Sequence, residues 1–102
     1  MIHKLNEENF NMSIAKGIAV VDFWAPWCGP CKQMNPVVEK FAKNNSDIFV
    51  GKLDIDESPN IAQKYDIMSI PTIIIFKDGE AVEQTVGVVP ERVLIEKVNS
   101  VK

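Results

Sequence analysis

Residues 18–32 of the chain read IAVVDFWAPWCGPCK, a segment that changes from a strand pattern to a helix pattern within a few residues. Its first part, residues 18–24, is apolar on both faces of an extended chain except at Asp22, which is typical of a central, covered strand. Pro26 lies where this strand pattern ends. The following apolar positions have helical spacing and predict a helix face with Cys31, Met34, Val38 and Phe41. We therefore expect a strand that leads into a helix, with both cysteines at the junction.

The same patterns assign the rest of the chain. Pro36 lies inside the helical pattern, and because the apolar stripe continues in phase through it, we expect one kinked helix rather than two. An N-cap residue and first-turn acids predict a helix from Asn6 that stops at Gly17. We expect further strands at residues 2–5, 48–54, 72–77 and 80–86, a hairpin turn at Asp78-Gly79, and helices that open at Ser58-Pro59 and at Pro90-Glu91, the last with Leu94, Val98 and Val101 buried. This order predicts an α/β fold in which helices cover both faces of a mixed sheet.

Length and composition indicate one ordinary globular domain over residues 1–102. The chain has 46% apolar and 25% charged residues, which argues against disorder. Its net charge of −3 gives no reason to expect a nucleic-acid partner, because phosphate binding needs a basic surface. The first residues lack the apolar core of a signal peptide, and the longest apolar runs, residues 18–21 and 73–76, are far shorter than a membrane span. We expect a cytoplasmic monomer with no membrane contact.

The two cysteines, Cys28 and Cys31, carry the most information about function. A disulfide across so short a loop would stabilise the fold by only about 2 kcal/mol through the chain entropy of the unfolded state. Stabilisation is therefore a weak explanation for the presence of the two cysteines. A closed zinc site needs four ligands, and the chain offers these two cysteines and one histidine, His3. We therefore predict no metal site and an exposed His3. Redox chemistry is the remaining interpretation of the pair.

The position of the pair predicts different roles for the two sulfurs. Residues three apart on a helix share one face, and a small adjustment brings their Cβ atoms to disulfide distance. Cys28 would lie at the helix N-terminus, where free N–H groups and the helix dipole stabilise a thiolate. Cys31, one turn further in, should be more buried. Gly29 permits close approach of a partner backbone, and Pro30 stiffens the first turn, where no N–H is needed.

The segment WAPWCGPCK at residues 24–32 resembles the active-site segment of thioredoxins. The resemblance covers essentially the whole chain, and further matches lie at residues 22–24, 70–72 and 76–79 and at Pro36, Lys52, Asp54 and Gly87. It implies the thioredoxin fold, a central mixed sheet of about five strands flanked by four helices. It also implies general protein-disulfide reduction that maintains cell redox homeostasis, with a thioredoxin reductase and disulfide-containing proteins as partners. NADPH and FAD would belong to that reductase, because no dinucleotide-binding glycine motif follows a strand of this chain.

The resemblance also implies roles for Asp22 and Lys52. Asp22 lies among apolar neighbours, so burial should raise its pKa. By resemblance it takes the proton from Cys31, through water, before Cys31 attacks. Lys52 would lie close to this acid and tune it. The alternatives are a structural hydrogen-bonded aspartate and an ordinary exposed lysine.

A further set of residues would bind the substrate. By resemblance, the Ile70–Pro71 bond is cis, Pro71 packs against the cysteines, and the backbone of Ile70 pairs with the target as an extra strand. Trp27 and Gly87 would complete a flat, mostly apolar patch around Cys28. Trp24 is expected to pack in the core. Without the resemblance, a trans bond at the start of a strand is the ordinary expectation for Pro71.

Three other functions fit parts of the sequence. A thiol oxidase or isomerase of the same fold is disfavoured, because Gly29-Pro30 lacks the histidine that makes such pairs more oxidising. A glutaredoxin-like activity is disfavoured because the usual Pro-Tyr dipeptide is absent. A binding module that uses Trp27 and Pro71 to hold a partner remains compatible with the reductase. Whether the electron donor is linked to NADPH or to ferredoxin is left open.

Overall fold

A computed structural model describes all residues, 1–102, and contains one five-stranded sheet. The strands are β1 (His3–Leu5), β2 (Ile18–Trp24), β3 (Phe49–Asp54), β4 (Thr72–Lys77) and β5 (Glu80–Val86). Their order across the sheet is β1-β3-β2-β4-β5. The first three in this order run parallel, and β4 and β5 are antiparallel to their neighbours. The sheet is therefore mixed, and β2 is its central strand, as its two apolar faces predict.

Four helices cover the sheet: α1 (Phe10–Ile14), α2 (Gly29–Asn44), α3 (Pro59–Lys64) and α4 (Glu91–Asn99). Alternate residues of β2 face two separate cores. Val20 packs with the apolar faces of α2 and α4, whereas Val21 packs with residues of α1 and with the side of the sheet that faces α3. The side chain of Asp22 points to the same side as that of Val20, because it follows by two residues along the strand. No helix is long and apolar enough to cross a membrane.

Helix α2 is continuous from Gly29 to Asn44 with Pro36 inside it, so the prediction of one helix rather than two is confirmed. Its buried residues include Cys31, Met34, Val38 and Phe41, as the periodicity predicts. The hairpin turn is confirmed as well, since Asp78 and Gly79 have φ angles of 50° and 90°. The continuous helix and the hairpin turn both follow from local sequence, and the packed structure contains both.

Three local predictions were wrong in detail. Helix α1 begins at Phe10 rather than directly after Asn6, because the Asn6 side chain accepts hydrogen bonds from the backbone N–H groups of Glu8 and Asn9 and closes a separate turn. Ser58 occupies the N-cap of α3 as predicted, but the capping hydrogen bond typical of a serine at that position is absent. Val101 lies beyond the end of α4 and is only half-buried.

Candidate active site

The cysteine pair lies where β2 passes into α2. Cys28 is the N-cap of α2 and has extended backbone angles, while Gly29 and Pro30 form the first turn. The Sγ atom of Cys28 accepts a hydrogen bond from the backbone N–H of Cys31, at 3.1 Å. The two sulfurs are bonded to each other, with their Cα atoms 5.3 Å apart. The helix start thus supplies both the disulfide geometry and an N–H donor to the outer sulfur.

Both sulfurs lie in a small apolar cluster. Cys28 is 4% exposed and Cys31 is 1% exposed, so the outer sulfur is the more accessible one, although only slightly. Ala25 belongs to the same cluster, and Trp24 and Ile70 pack against it. A target disulfide must therefore come into close contact with the protein surface to reach Cys28.

The loop before β4 lies directly beside Cys28. The Ile70–Pro71 bond is cis, as the resemblance implies, and the carbonyl oxygen of Ile70 lies 3.8 Å from the Sγ atom of Cys28. Gly87 follows β5 with a φ of 87°, and its N–H donates to the carbonyl oxygen of Pro71 at 2.8 Å. A side chain at this φ would be strained, which explains a glycine at this position. These contacts connect the backbone of residues 70, 71 and 87 to Cys28.

Trp27 directly precedes Cys28 and is largely exposed. Its side chain is 68% exposed, and its indole Nε1–H donates to the Oδ2 atom of Asp56 at 2.8 Å. Asp56 did not emerge from the sequence as a site residue. No sequence pattern identifies Asp56, because its hydrogen bond with Trp27 joins two loops that are distant in sequence and meet only in the folded chain.

Asp22 is fully buried in the middle of β2, on the side of the sheet that α2 covers. Neither carboxylate oxygen has a hydrogen-bond partner. Burial raises the pKa of Asp22 from 3.8 to about 6, and the positive charge of Lys52 opposes that rise. The prediction of a buried acid with a raised pKa is therefore confirmed. No hydrogen bond or ion pair joins Asp22 to either cysteine.

Lys52 on β3 is the neighbour of Asp22 in the sheet register. Its ammonium makes no ion pair with Asp22 and instead donates to the Oδ1 atom of Asn35 on α2, at 2.8 Å. It also lies 4.5 Å from the ring centroid of Trp24. Lys52 is half-buried, so the alternative of an ordinary exposed lysine is wrong. Asn35 is a second residue that the sequence patterns did not single out.

The structure contains no cluster of three or more His, Cys, Asp or Glu side chains that could hold a metal ion. His3 is exposed on β1 and stacks on the ring of Phe49, with the ring centroids 4.6 Å apart. A disulfide that caps a helix beside a cis-proline loop, in a sheet whose central strand carries a buried acid, is the site of a thiol-disulfide oxidoreductase. This is the class of protein that the fold and the site define.

Comparisons with known proteins give the family. The family model named Thioredoxin matches residues 1–100. The thioredoxin of Staphylococcus haemolyticus is 49% identical in an alignment of 98 positions that covers 93% of this chain and 92% of that protein, and a Staphylococcus aureus thioredoxin is 47% identical with the same coverage. Among solved structures, the thioredoxin of Malassezia sympodialis has a TM-score of 0.87 and 31% identity, over 96% of this chain and 91% of that one. The chain belongs to the thioredoxin family, has the thioredoxin fold and is a protein-disulfide reductase.

Proposed function

We propose that this chain is a general protein-disulfide reductase that acts as a single-domain monomer in the cytoplasm and maintains cell redox homeostasis. The observation that carries the proposal is the hydrogen bond from the Cys31 backbone N–H to the Cys28 Sγ atom at the start of α2. In the reduced protein this donor and the positive end of the helix dipole would stabilise negative charge on Cys28. Cys28 is therefore assigned as the nucleophile.

In the first step, the Cys28 thiolate attacks one sulfur of the target disulfide. A bond forms between Cys28 and that sulfur, the target's S–S bond breaks, and the other target sulfur leaves as a thiolate that takes a proton from solvent. Gly29 and Pro30 tune this step: Gly29 has no heavy atom within 4 Å of where a Cβ would lie, which leaves room for a target, and Pro30 fixes the first turn.

In the second step, Cys31 resolves the mixed disulfide. Its thiol proton passes through water to the Asp22 carboxylate, and the resulting thiolate attacks the Sγ atom of Cys28. The Cys28–Cys31 bond forms and the second target sulfur leaves, so the target gains two electrons and the protein loses two. The pKa of Asp22 of about 6 suits this role, because the group is ionised at neutral pH yet remains a usable base. Lys52 sets how far that pKa rises.

Four residues would hold the target next to Cys28. The backbone of Ile70 offers hydrogen-bonding groups to an extended target segment, as in β-strand addition. Pro71 supports Ile70 from below the surface, and the hydrogen bond from the Gly87 N–H to the Pro71 carbonyl oxygen fixes Gly87 beside it. Trp27 contributes the exposed aromatic face. A flat surface of this kind selects extended, exposed disulfides rather than one particular sequence.

A thioredoxin reductase would return the protein to the dithiol state. It would transfer two electrons to the Cys28–Cys31 bond, drawn from NADPH through its own FAD, so this chain would need no bound cofactor of its own. The targets would be disulfide-containing proteins, with no nucleic-acid or membrane partner. A purified NADPH-dependent thioredoxin reductase should reduce the oxidised chain at a rate that saturates with chain concentration.

The reductase activity is tested with a disulfide-bonded model protein as substrate. The Cys28→Ser variant should lose reduction entirely, whereas Cys31→Ser should accumulate a covalent complex with the substrate that dithiothreitol releases. Ser46→Ala is the control, because it removes an exposed hydroxyl from the turn that follows α2, and it should reduce the substrate normally. Equal rates for the wild type and Cys28→Ser would refute the proposal. The equilibrium of the Cys28–Cys31 pair with a glutathione buffer separates a reductase from an oxidase.

A further inference from the structure

The ammonium group of Lys52 is held by contacts other than the expected one with Asp22. Lys52 is paired in register with Asp22, yet no ion pair joins the two side chains. The Nζ atom is instead held by the Oδ1 atom of Asn35 at 2.8 Å and lies over the ring of Trp24 at 4.5 Å. Asn35 belongs to α2, the helix that carries the cysteines, and lies four residues after Cys31.

Without Asn35, the Lys52 side chain would have a clear alternative position. It lines an open cleft of about 350 Å³ beside β1, together with Trp24, His3 and the charged residues Lys4, Glu39 and Asp54. A long lysine side chain gains rotamer freedom and hydration when it moves into such a cleft. The carboxylate of Asp22 offers less, because it is fully buried and the ammonium would lose its water to reach it. A released Lys52 should therefore move away from Asp22, not toward it.

We infer that Asn35 is a positioning residue for the disulfide exchange: its side-chain oxygen holds the Lys52 ammonium within electrostatic reach of Asp22 without contact between the two charges. The positive charge then favours the ionised carboxylate at a distance, while both carboxylate oxygens stay free to accept a proton. The functional meaning of this arrangement rests on the proposed role of Asp22 as the base for Cys31. The arrangement itself is independent of that role and is measured separately.

The pKa of Asp22 in the oxidised protein, followed by carbon-13 NMR of its carboxyl group, tests the inference directly. Asn35→Ala should raise this pKa by roughly 0.5 unit, on the order of a threefold change in proton affinity. Lys52→Met should raise it further, because the charge is then lost entirely. Asn35→Asp should also raise it, because a carboxylate at residue 35 would neutralise the ammonium. Gln33→Ala truncates an exposed amide on the same helix and should leave the pKa unchanged.

A double-mutant cycle separates positioning from a structural effect. Asn35→Ala should have no effect on the pKa of Asp22 when Lys52 is already methionine, because its influence acts through the ammonium. An equal shift in both backgrounds would overturn the inference, as would an unchanged or lowered pKa in Asn35→Ala alone. His3 lines the same cleft, so each titration is repeated in a His3→Gln background, which removes the imidazole.

The rate of disulfide reduction is the second readout. Its pH midpoint should rise with the pKa of Asp22 in Asn35→Ala. If the pKa moves as expected and the pH midpoint does not follow, the proposed role of Asp22 fails while the positioning by Asn35 stands. If the pKa does not move, the positioning fails whatever the rates are.

Discussion

At the scale of single residues, Asp22 shows how burial can produce chemistry. The carboxyl group lies inside the sheet, where its charged form loses hydration and gains no hydrogen bond. The nearby positive charge of Lys52 offsets only part of that cost, so the pKa remains near 6. A carboxylate on the protein surface would hold a proton too weakly to take one from a thiol near neutral pH. The same burial that destabilises the ion therefore makes it a usable base.

Replacement of Asp22 by asparagine tests this role through the rate of reduction. Asp22→Asn keeps the shape of the side chain and removes the proton acceptor. Release of the target from the mixed disulfide should therefore slow by about 10- to 100-fold at pH 7, an effect at or below the smallest rate factors typical of general-base catalysis. The rise of the wild-type rate through pH 6 should also disappear. Stopped-flow tryptophan fluorescence follows the reaction, since Trp24 and Trp27 lie close to the disulfide. Asp47→Asn, at an exposed loop position, is the control and should behave as wild type. A pH profile with an unchanged midpoint in Asp22→Asn would contradict the role.

At the scale of helices and strands, the sequence predicted what depends on local pattern. Helix α2, the central strand β2 and the hairpin at Asp78 all follow from periodicity and turn chemistry, and the cis bond at Pro71 followed only from the family resemblance. The predicted start of α1 was wrong because the Asn6 side chain binds nearby backbone N–H groups and closes a separate turn before the helix. The contact between Lys52 and Asn35 was missed because a long side chain reaches from β3 to α2, and no local spacing records such a contact.

The β4–β5 hairpin gives a stability prediction at this scale. Asp78 has a φ of 50°, and its Oδ1 atom accepts a hydrogen bond from the N–H of Gly17 at 2.8 Å, while its own N–H donates to the carbonyl oxygen of Gly17. Asp78→Ala should lower the free energy of unfolding by about 2 kcal/mol, because it loses one hydrogen bond and places alanine in the left-handed region. Asp78→Asn keeps an acceptor and tolerates this φ, so it should stay within about 0.5 kcal/mol of wild type. Urea unfolding measures both, and equal losses would contradict the explanation.

The packing of β1 gives a second prediction at the same scale. A Cβ atom at Gly51 would lie 2.8 Å from Cδ1 and 2.9 Å from Cγ of Leu5, which is itself buried. Gly51→Ala should therefore displace Leu5 and the short strand β1, at a cost of about 1–3 kcal/mol. Gly29→Ala is the matched control, because no heavy atom lies within 4 Å of its Cβ position and it should not destabilise the fold. Thermal unfolding of the two variants compares them, and a similar melting temperature for both would show that β1 moves freely.

At the scale of the whole molecule, the site depends on two cores that pack on opposite faces of one sheet. One core packs under α2 and α4 and the other lies on the face of α1 and α3. Asp22 lies on the α2 side of β2, within a row of the sheet that also contains Lys52 on β3 and Ile73 on β4. The packing on the α2 side buries the carboxyl group, and the apolar burial of both cores offsets the free-energy cost of an ionised group inside the protein. The global stability of the protein should therefore depend on the charge of this one residue.

The pH dependence of unfolding tests this link between the site and the whole fold. The folded protein binds the Asp22 proton more tightly than the unfolded chain does, since the pKa is about 6 when folded and 3.8 without burial. The stabilisation from the protonated group is fully present below pH 3.8 and is lost as the pH rises through 6. A shift of about two pKa units corresponds to about 3 kcal/mol of unfolding free energy. Between pH 4 and pH 7 the stability of oxidised Asp22→Asn, relative to that of the oxidised wild type, should therefore rise by about that amount. Denaturant unfolding at a series of pH values gives the difference curve. A flat curve would mean that folding does not raise the pKa of Asp22, and the assignment of Asp22 as a base tuned by burial would then fail.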